Sequence, residues 1–280
     1  MLPASGLSLR RHLLRFAAMA VCAIAFIAPV GAISGSVDDI KRKGVVTVGI
    51  QGDNPPWGFV NASGNSDGLD ADVATLFGKY LGVRVAFVPL AVADRIPALT
   101  TGRVDILFAT MAMLPERAKA VQYSKPYVAN SIVLVAPIKD QLKSIDDMAK
   151  FSVGVPASSV QDQLATKLAP INTVIHRYQN DAVTIEALVS GQVTSVGGNS
   201  GYIDRIEHEK PGVFENKLVL TSLFNGACSR LGDKQMNETL NTFIDKVLAS
   251  YEYKEIHMKW LRAQVPPMPL SVDGVPFVVK

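Results

Sequence analysis

The chain has 280 residues, with 28 lysines and arginines against 25 aspartates and glutamates, and only 2 cysteines. That near-balance excludes the basic excess that nucleic acid or an anionic membrane surface requires of a partner, and two cysteines cannot build a disulfide scaffold. The length allows two compact domains at about 100–200 residues each.

Arg10, Arg11 and Arg15 precede an apolar run from Phe16 to Val30, which Gly31 and Ala32 close. A basic start, about fifteen apolar residues and a small-residue end read as a secretory signal peptide over residues 1–32, cleaved near Ala32. The run is shorter than the roughly 20 apolar residues of a membrane span. Cys22 sits inside it rather than closing it, which argues against a lipid anchor, and the Arg10, Arg11 pair gives only a faint twin-arginine signal beside ordinary Sec export. Without the leader, 25 basic side chains face 25 acidic ones, and Cys228 is the only cysteine left. The mature protein is expected to be soluble, exported and monomeric, with Cys228 as a small buried apolar residue.

Six short β-rich runs follow, at Val45–Ile50, Val83–Val88, Asp105–Ala109, Phe151–Val155, Val174–Tyr178 and Val193–Gly197. Helical patterns alternate with them, clearest at Asp233–Ala249, where Met236, Leu240, Phe243, Ile244, Val247 and Leu248 keep helical spacing. Such βα alternation predicts an α/β fold of mainly parallel sheets flanked by helices. Ser131–Ala136 and Leu218–Phe224 are extended in character and flank the middle block. After Ala263, the prolines 266, 267 and 269 break any helix, so 263–280 is expected to lie as an extended strap on the surface.

In α/β sheets ligands sit beyond the carboxyl ends of the strands. The loop after the first strand offers Gln51, Asn54 and Trp57, the last able to stack on a ligand or pack beneath the loop. After the third strand come Thr110, Met111 and Ala112 and then Pro115, Glu116 and Arg117 at the start of a helix. Arg117 can clamp a carboxylate through its planar fork, with the Thr110 hydroxyl, the backbone around Ala112 and the helix N-terminus completing an anion pocket. Ser158 and Ser159 open a helix after the strand ending at Val155, where they serve as caps or turn N–H groups toward the same carboxylate. His176, His208 and His257 show no metal spacing, and neither metal nor cofactor is expected.

Several segments together resemble the periplasmic solute-binding proteins that deliver amino acids to ABC transporters, solute-binding family 3: Val46–Ile50 with Asn54, Pro55, Pro56 and Trp57; Gly68–Asp72; Arg95–Leu99; Gly102–Asp105; and Met113–Tyr127. The resemblance implies two lobes joined by two hinge strands. Lobe one is expected over 33–131 plus 224–262, lobe two over 132–223, with the tail from 263. It further implies a receptor that closes on a small carboxylate-bearing ligand, an amino acid or close derivative, and hands it to an ABC permease. A periplasmic dehydratase of the cyclohexadienyl type is the enzymatic alternative on the same architecture. The same likeness puts an aspartate against the ligand ammonium where this chain has Asn199, and hydroxyl residues where it has Ala112 and Leu114. An ammonium buried against a neutral amide lacks its counter-ion. Asp94 is the expected substitute, unless it caps the helix Arg95–Leu99 or the ligand has no α-ammonium.

Overall fold

In the computed structural model, which describes residues 37–279, strands alternate with helices through most of the described chain, apart from the run of the first four strands and the final helix pair. The leader, its cleavage point and Cys22 lie outside the described residues. The elements are α1 (Val37–Lys43), β1 (Val45–Gln51), β2 (Asp53–Asn54), β3 (Gly58–Val60), β4 (Ser66–Asp67), α2 (Leu69–Leu81), β5 (Arg84–Leu90), α3 (Arg95–Thr100), β6 (Ile106–Leu107) and α4 (Pro115–Ala118). Then come β7 (Gln122–Pro137), β8 (Ser152–Pro156), α5 (Val160–Leu168), β9 (Val174–Tyr178), α6 (Asp181–Val189), β10 (Ser195–Asn199), α7 (Tyr202–Glu209), β11 (Phe214–Ser229), α8 (Lys234–Leu248) and α9 (Tyr251–Leu261).

Eight strands form one sheet in the order β5-β1-β6-β11-β7-β10-β8-β9, and β2-β3-β4 make a small second sheet. β1 pairs in parallel with β5 and β6, and β8 pairs in parallel with β9 and β10. Between these two parallel groups run β7 and β11, antiparallel to each other and 16 residues long each. The parallel groups follow from their composition: Val45, Val46, Val48 and Ile50, or Val153 and Val155, are β-branched residues whose side chains meet helices. α2 covers one group with Leu69, Val73 and Phe77 in a cluster with Phe108 and Tyr127, and Gly82 ends that helix at φ 73°. α6 and α7 cover the other with Leu188, Tyr202 and Ile206 against Val196. A small cluster of Ala112, Ile132 and Val160 lies where the two groups meet.

Cys228 is buried and free, and burial pushes its thiol well up, so it behaves as an apolar residue. The tail does more than rest on the surface. Val275 is 4% exposed and packs with Leu99, Met111 and Tyr123. Gln122 Nε2 donates to Pro276 O at 2.9 Å, Asn241 Nδ2 to Phe277 O at 2.7 Å, and Val279 N–H to Asn237 Oδ1 at 3.2 Å. Backbone polar groups of an extended chain need partners, and the buried amides of Gln122 in β7 and of Asn237 and Asn241 in α8 provide them.

Candidate functional site

Arg117 lies in α4, only four residues long, which Pro115 opens after Leu114 in an extended conformation. The expected helix-dipole contribution is therefore corrected: one turn sums too few peptide dipoles to matter, and the guanidinium itself carries the attraction. Its side chain is buried, and Nη1 has no hydrogen-bond partner among the described residues. Of the ten residues expected from sequence, Gln51, Asn54, Thr110, Ala112, Arg117, Ser159 and Asn199 line one cavity of ≈ 30 Å³, about the room of one water molecule. Four polar residues not foreseen there also line it: Arg95, Asn130, Gln161 and Asp181.

The polar loop after β1 reaches across to the β8-β9-β10 group. Asn199 Nδ2 donates to Asn54 Oδ1 at 2.9 Å, and Gln51 Nε2 donates to Asp181 Oδ2 at 2.5 Å. Asp53 Oδ2 accepts the N–H groups of Asp181 at 2.8 Å and Ala182 at 3.2 Å, which satisfies the free donors that open α6.

Thr110 stands at φ 51°, a left-handed conformation unfavourable for a β-branched residue. Asp70 holds it there, accepting from Thr110 N–H at 2.7 Å and from its hydroxyl at 3.2 Å, while Tyr127 donates to the same carboxyl at 2.6 Å. The expectation that the Thr110 hydroxyl donates to a ligand is corrected, because its proton already points at Asp70. Arg95 is equally committed: Nε donates to Val92 O at 3.1 Å and Nη1 to Ala109 O at 2.5 Å and Thr110 O at 3.3 Å. Burial, then the Arg117 charge, lowers its pKa to about 10. Arg95 thus anchors the strand end that carries Thr110, and Arg117 keeps the free donor.

Three expected residues fall outside the cavity. Trp57 is 2% exposed and packs with Leu69, Val73 and Tyr127, because its backbone N–H donates to Asn54 O at 2.9 Å and the turn directs the indole inward. Ser158 is exposed, and its N–H donates to Asp162 Oδ2 at 3.2 Å; Ser159 is the cap, its hydroxyl accepting from Asp162 N at 3.1 Å. Asp94 is exposed and caps nothing with its side chain, since it falls in a 3-10 turn whose αR backbone turns the carboxylate outward. The acid in the cavity is Asp181, at the start of a helix directly after β9, where the rule of strand carboxyl ends points.

Burial raises both Asp70 and Asp181 to about 6, the nearby Asp53 charge adding to the effect at Asp181. A carboxyl with a raised native pKa binds more protons folded than unfolded between its ordinary value and about 6, so its contribution to stability is lost as pH rises through that window. We expect the stability difference between the Asp70→Asn/Asp181→Asn variant and wild type to shift in favour of the variant by several kcal/mol, on the order of 3 per group, from about pH 4 to pH 7. Urea unfolding at each pH measures it, and a pH-independent difference contradicts the assignment.

A family model for bacterial extracellular solute-binding proteins, family 3, matches residues 46–263. The chain belongs to this family. Among relatives, a probable histidine-binding protein of Neisseria gonorrhoeae is 27% identical over 210 residues, covering 73% of this chain and 78% of that protein. The crystal structure of an L-cysteine solute receptor of Neisseria gonorrhoeae superposes with a TM-score of 0.75 at 26% identity, covering 81% of this chain and 93% of the receptor. An ancestral amino-acid-binding protein described as a precursor of cyclohexadienyl dehydratase superposes with a TM-score of 0.72 at 28% identity, covering 80% and 98%. As a family 3 solute-binding protein the chain has the expected fold, and the relatives named above are described as binding proteins or solute receptors.

Proposed function

We propose that this solute-binding protein is a periplasmic receptor that closes on a small carboxylate-bearing ligand, an amino acid or close derivative, and delivers it to an ABC permease. The supporting observation is Arg117: a buried guanidinium with a free Nη1, lining a cavity that both parallel strand groups share. A buried unpaired cation is costly, and a carboxylate is what its fork fits. Lobe one is assigned to 33–131 plus 224–262 and lobe two to 132–223, with β7 and β11 as the hinge. The contacts from Asn54 to Asn199 and from Gln51 and Asp53 to the start of α6 are interlobe contacts in this reading, and they leave the cavity too small for an amino acid. Binding then requires the cleft to reopen, and the ligand must favour the shut state to hold it closed.

A thermal-shift screen of amino acids, keto acids and hydroxy acids tests the reading. A carboxylate at 100 times its dissociation constant adds about 2.7 kcal/mol. No stabilisation by any carboxylate would contradict it. The dehydratase alternative keeps one foothold, the buried Asp181 carboxyl with its raised pKa, since acid-assisted elimination needs a protonated group. Aromatic product from prephenate or arogenate would establish it.

A further inference from the structure

Resting on the receptor reading, we propose that Asp181 is the counter-ion for the ligand's ammonium, so that the receptor selects zwitterions: carboxylate at Arg117, ammonium at Asp181. Among the described residues, Asp181 is the only carboxylate lining the cavity. It is 2% exposed, yet a residue of this charge is rarely buried without a partner.

Asn199 cannot take the role. Its Oδ1 accepts the N–H of Gly201 at 2.9 Å and its Nδ2 donates to Asn54, and as a neutral amide it brings no negative charge to balance an ammonium. Asp181 faces groups from three directions. Tyr202 on α7 donates its hydroxyl to Oδ1, Gln51 donates to Oδ2, and the N–H of Asp181 itself is held by Asp53. The charges that bear on it are Asp53, Arg205 and Arg95. Tyr202 fixes the carboxylate's orientation from behind, which leaves the Gln51 side as the polar approach from the cavity. A carboxylate oxygen accepts more than one hydrogen bond, so an ammonium can join Gln51 there or displace it. An ammonium also neutralises a carboxylate that is otherwise buried beside Asp53.

The same placement decides the question that Asn199 raises in the sequence. The acid missing at the end of β10 reappears at the start of α6, on the same side of the cleft, and the ligand keeps its ammonium.

The test uses the mature protein with the tightest-binding amino acid of the screen and its 2-hydroxy-acid analogue, with affinities from calorimetry. Wild type should prefer the amino acid. Asp181→Asn should weaken the amino acid by about 100-fold or more, and the hydroxy acid by less than about threefold, since breaking a buried charge pair is strongly unfavourable while a hydroxyl needs no counter-charge. The Asp181→Asn/Asn199→Asp double variant should recover most of the amino-acid affinity, a rescue that a merely structural role for Asp181 would not produce. If Asp181→Asn unfolds, Asp181→Glu keeps the charge and should retain the preference for the amino acid. Equal losses for both compounds, or equal wild-type affinity for them, overturn the inference and leave the receptor reading standing. No carboxylate bound by wild type at all overturns both.

Discussion

Replacing Arg117 by alanine is expected to abolish ligand-induced stabilisation while leaving the melting temperature of the unliganded protein unchanged or slightly raised. Two facts support both halves of that result. Nη1 of Arg117 has no partner among the described residues, so the unliganded fold loses no hydrogen bond seen at that atom, and removal of the charge relieves Arg95, whose pKa the Arg117 charge depresses. With ligand, the same atom becomes a donor in a charge-assisted pair, worth about 1.5–3 kcal/mol per bond and more if the partner charge is then stranded. For wild type at 100 times the dissociation constant, about 2.7 kcal/mol corresponds to roughly 5–10 °C in a chain of this size. In Arg117→Ala that shift should vanish. Arg117→Lys keeps charge but loses the fork, and should bind at an intermediate level. A collapse of the unliganded melting temperature in Arg117→Ala would mark the residue as structural.

Ending the chain after Ala263 is expected to destabilise the protein by about 5 kcal/mol, roughly 10–20 °C in melting temperature. The deleted segment includes Val275, buried beside Leu99 and Met111, with Val272 and Phe277 packed against the same cluster. Burial of such side chains contributes about 1.5–3 kcal/mol each. Gln122, Asn241 and Asn237 would in addition lose the tail partners they hold, Pro276 O, Phe277 O and Val279 N–H. A buried polar group left unpaired costs about 1–3 kcal/mol. Gly274 also lies against Pro115, the first residue of the turn that carries Arg117, so the truncated protein should bind more weakly as well as melt earlier. Point variants separate the contributions: Val275→Ala should lower stability by about 1–2 kcal/mol with little change in affinity. An unchanged melting temperature after truncation contradicts the anchoring role of the tail.

The parts of the fold that show in the sequence are those with a local cause. β1 is dense in β-branched residues and β9 opens on Val174 and Ile175, and both fall within one residue of their expected bounds; the apolar spacing of Met236, Leu240, Phe243 and Ile244 marks α8 to within one residue at each end. β7 and β11 show only in part, 131–136 and 218–224, because the rest of each carries Pro126, Asn130, Asn225 and Gly226, which read locally as breakers. What makes those parts strands is their pairing over 16 residues with a partner far along the chain.

The candidate site divides the same way. Arg117, Gln51, Asn54 and Ser159 stand at strand ends and helix starts, which is a local property. The diversion of the Thr110 hydroxyl depends on Asp70, 40 residues earlier, and the inward turn of Trp57 on a core assembled from α2 and β7. Asp94 against Asp181 is the clearest case. Both acids stand at the head of a helix, and only the three-dimensional placement separates the one turned to solvent from the one turned to the cavity.

The most direct measurement is the crystal structure of the mature protein with the tightest carboxylate from the screen. The account predicts the ligand between the two lobes with both carboxylate oxygens at about 2.7–2.9 Å from the Arg117 guanidinium. A ligand seated elsewhere, with Arg117 still free of it, would contradict the central claim.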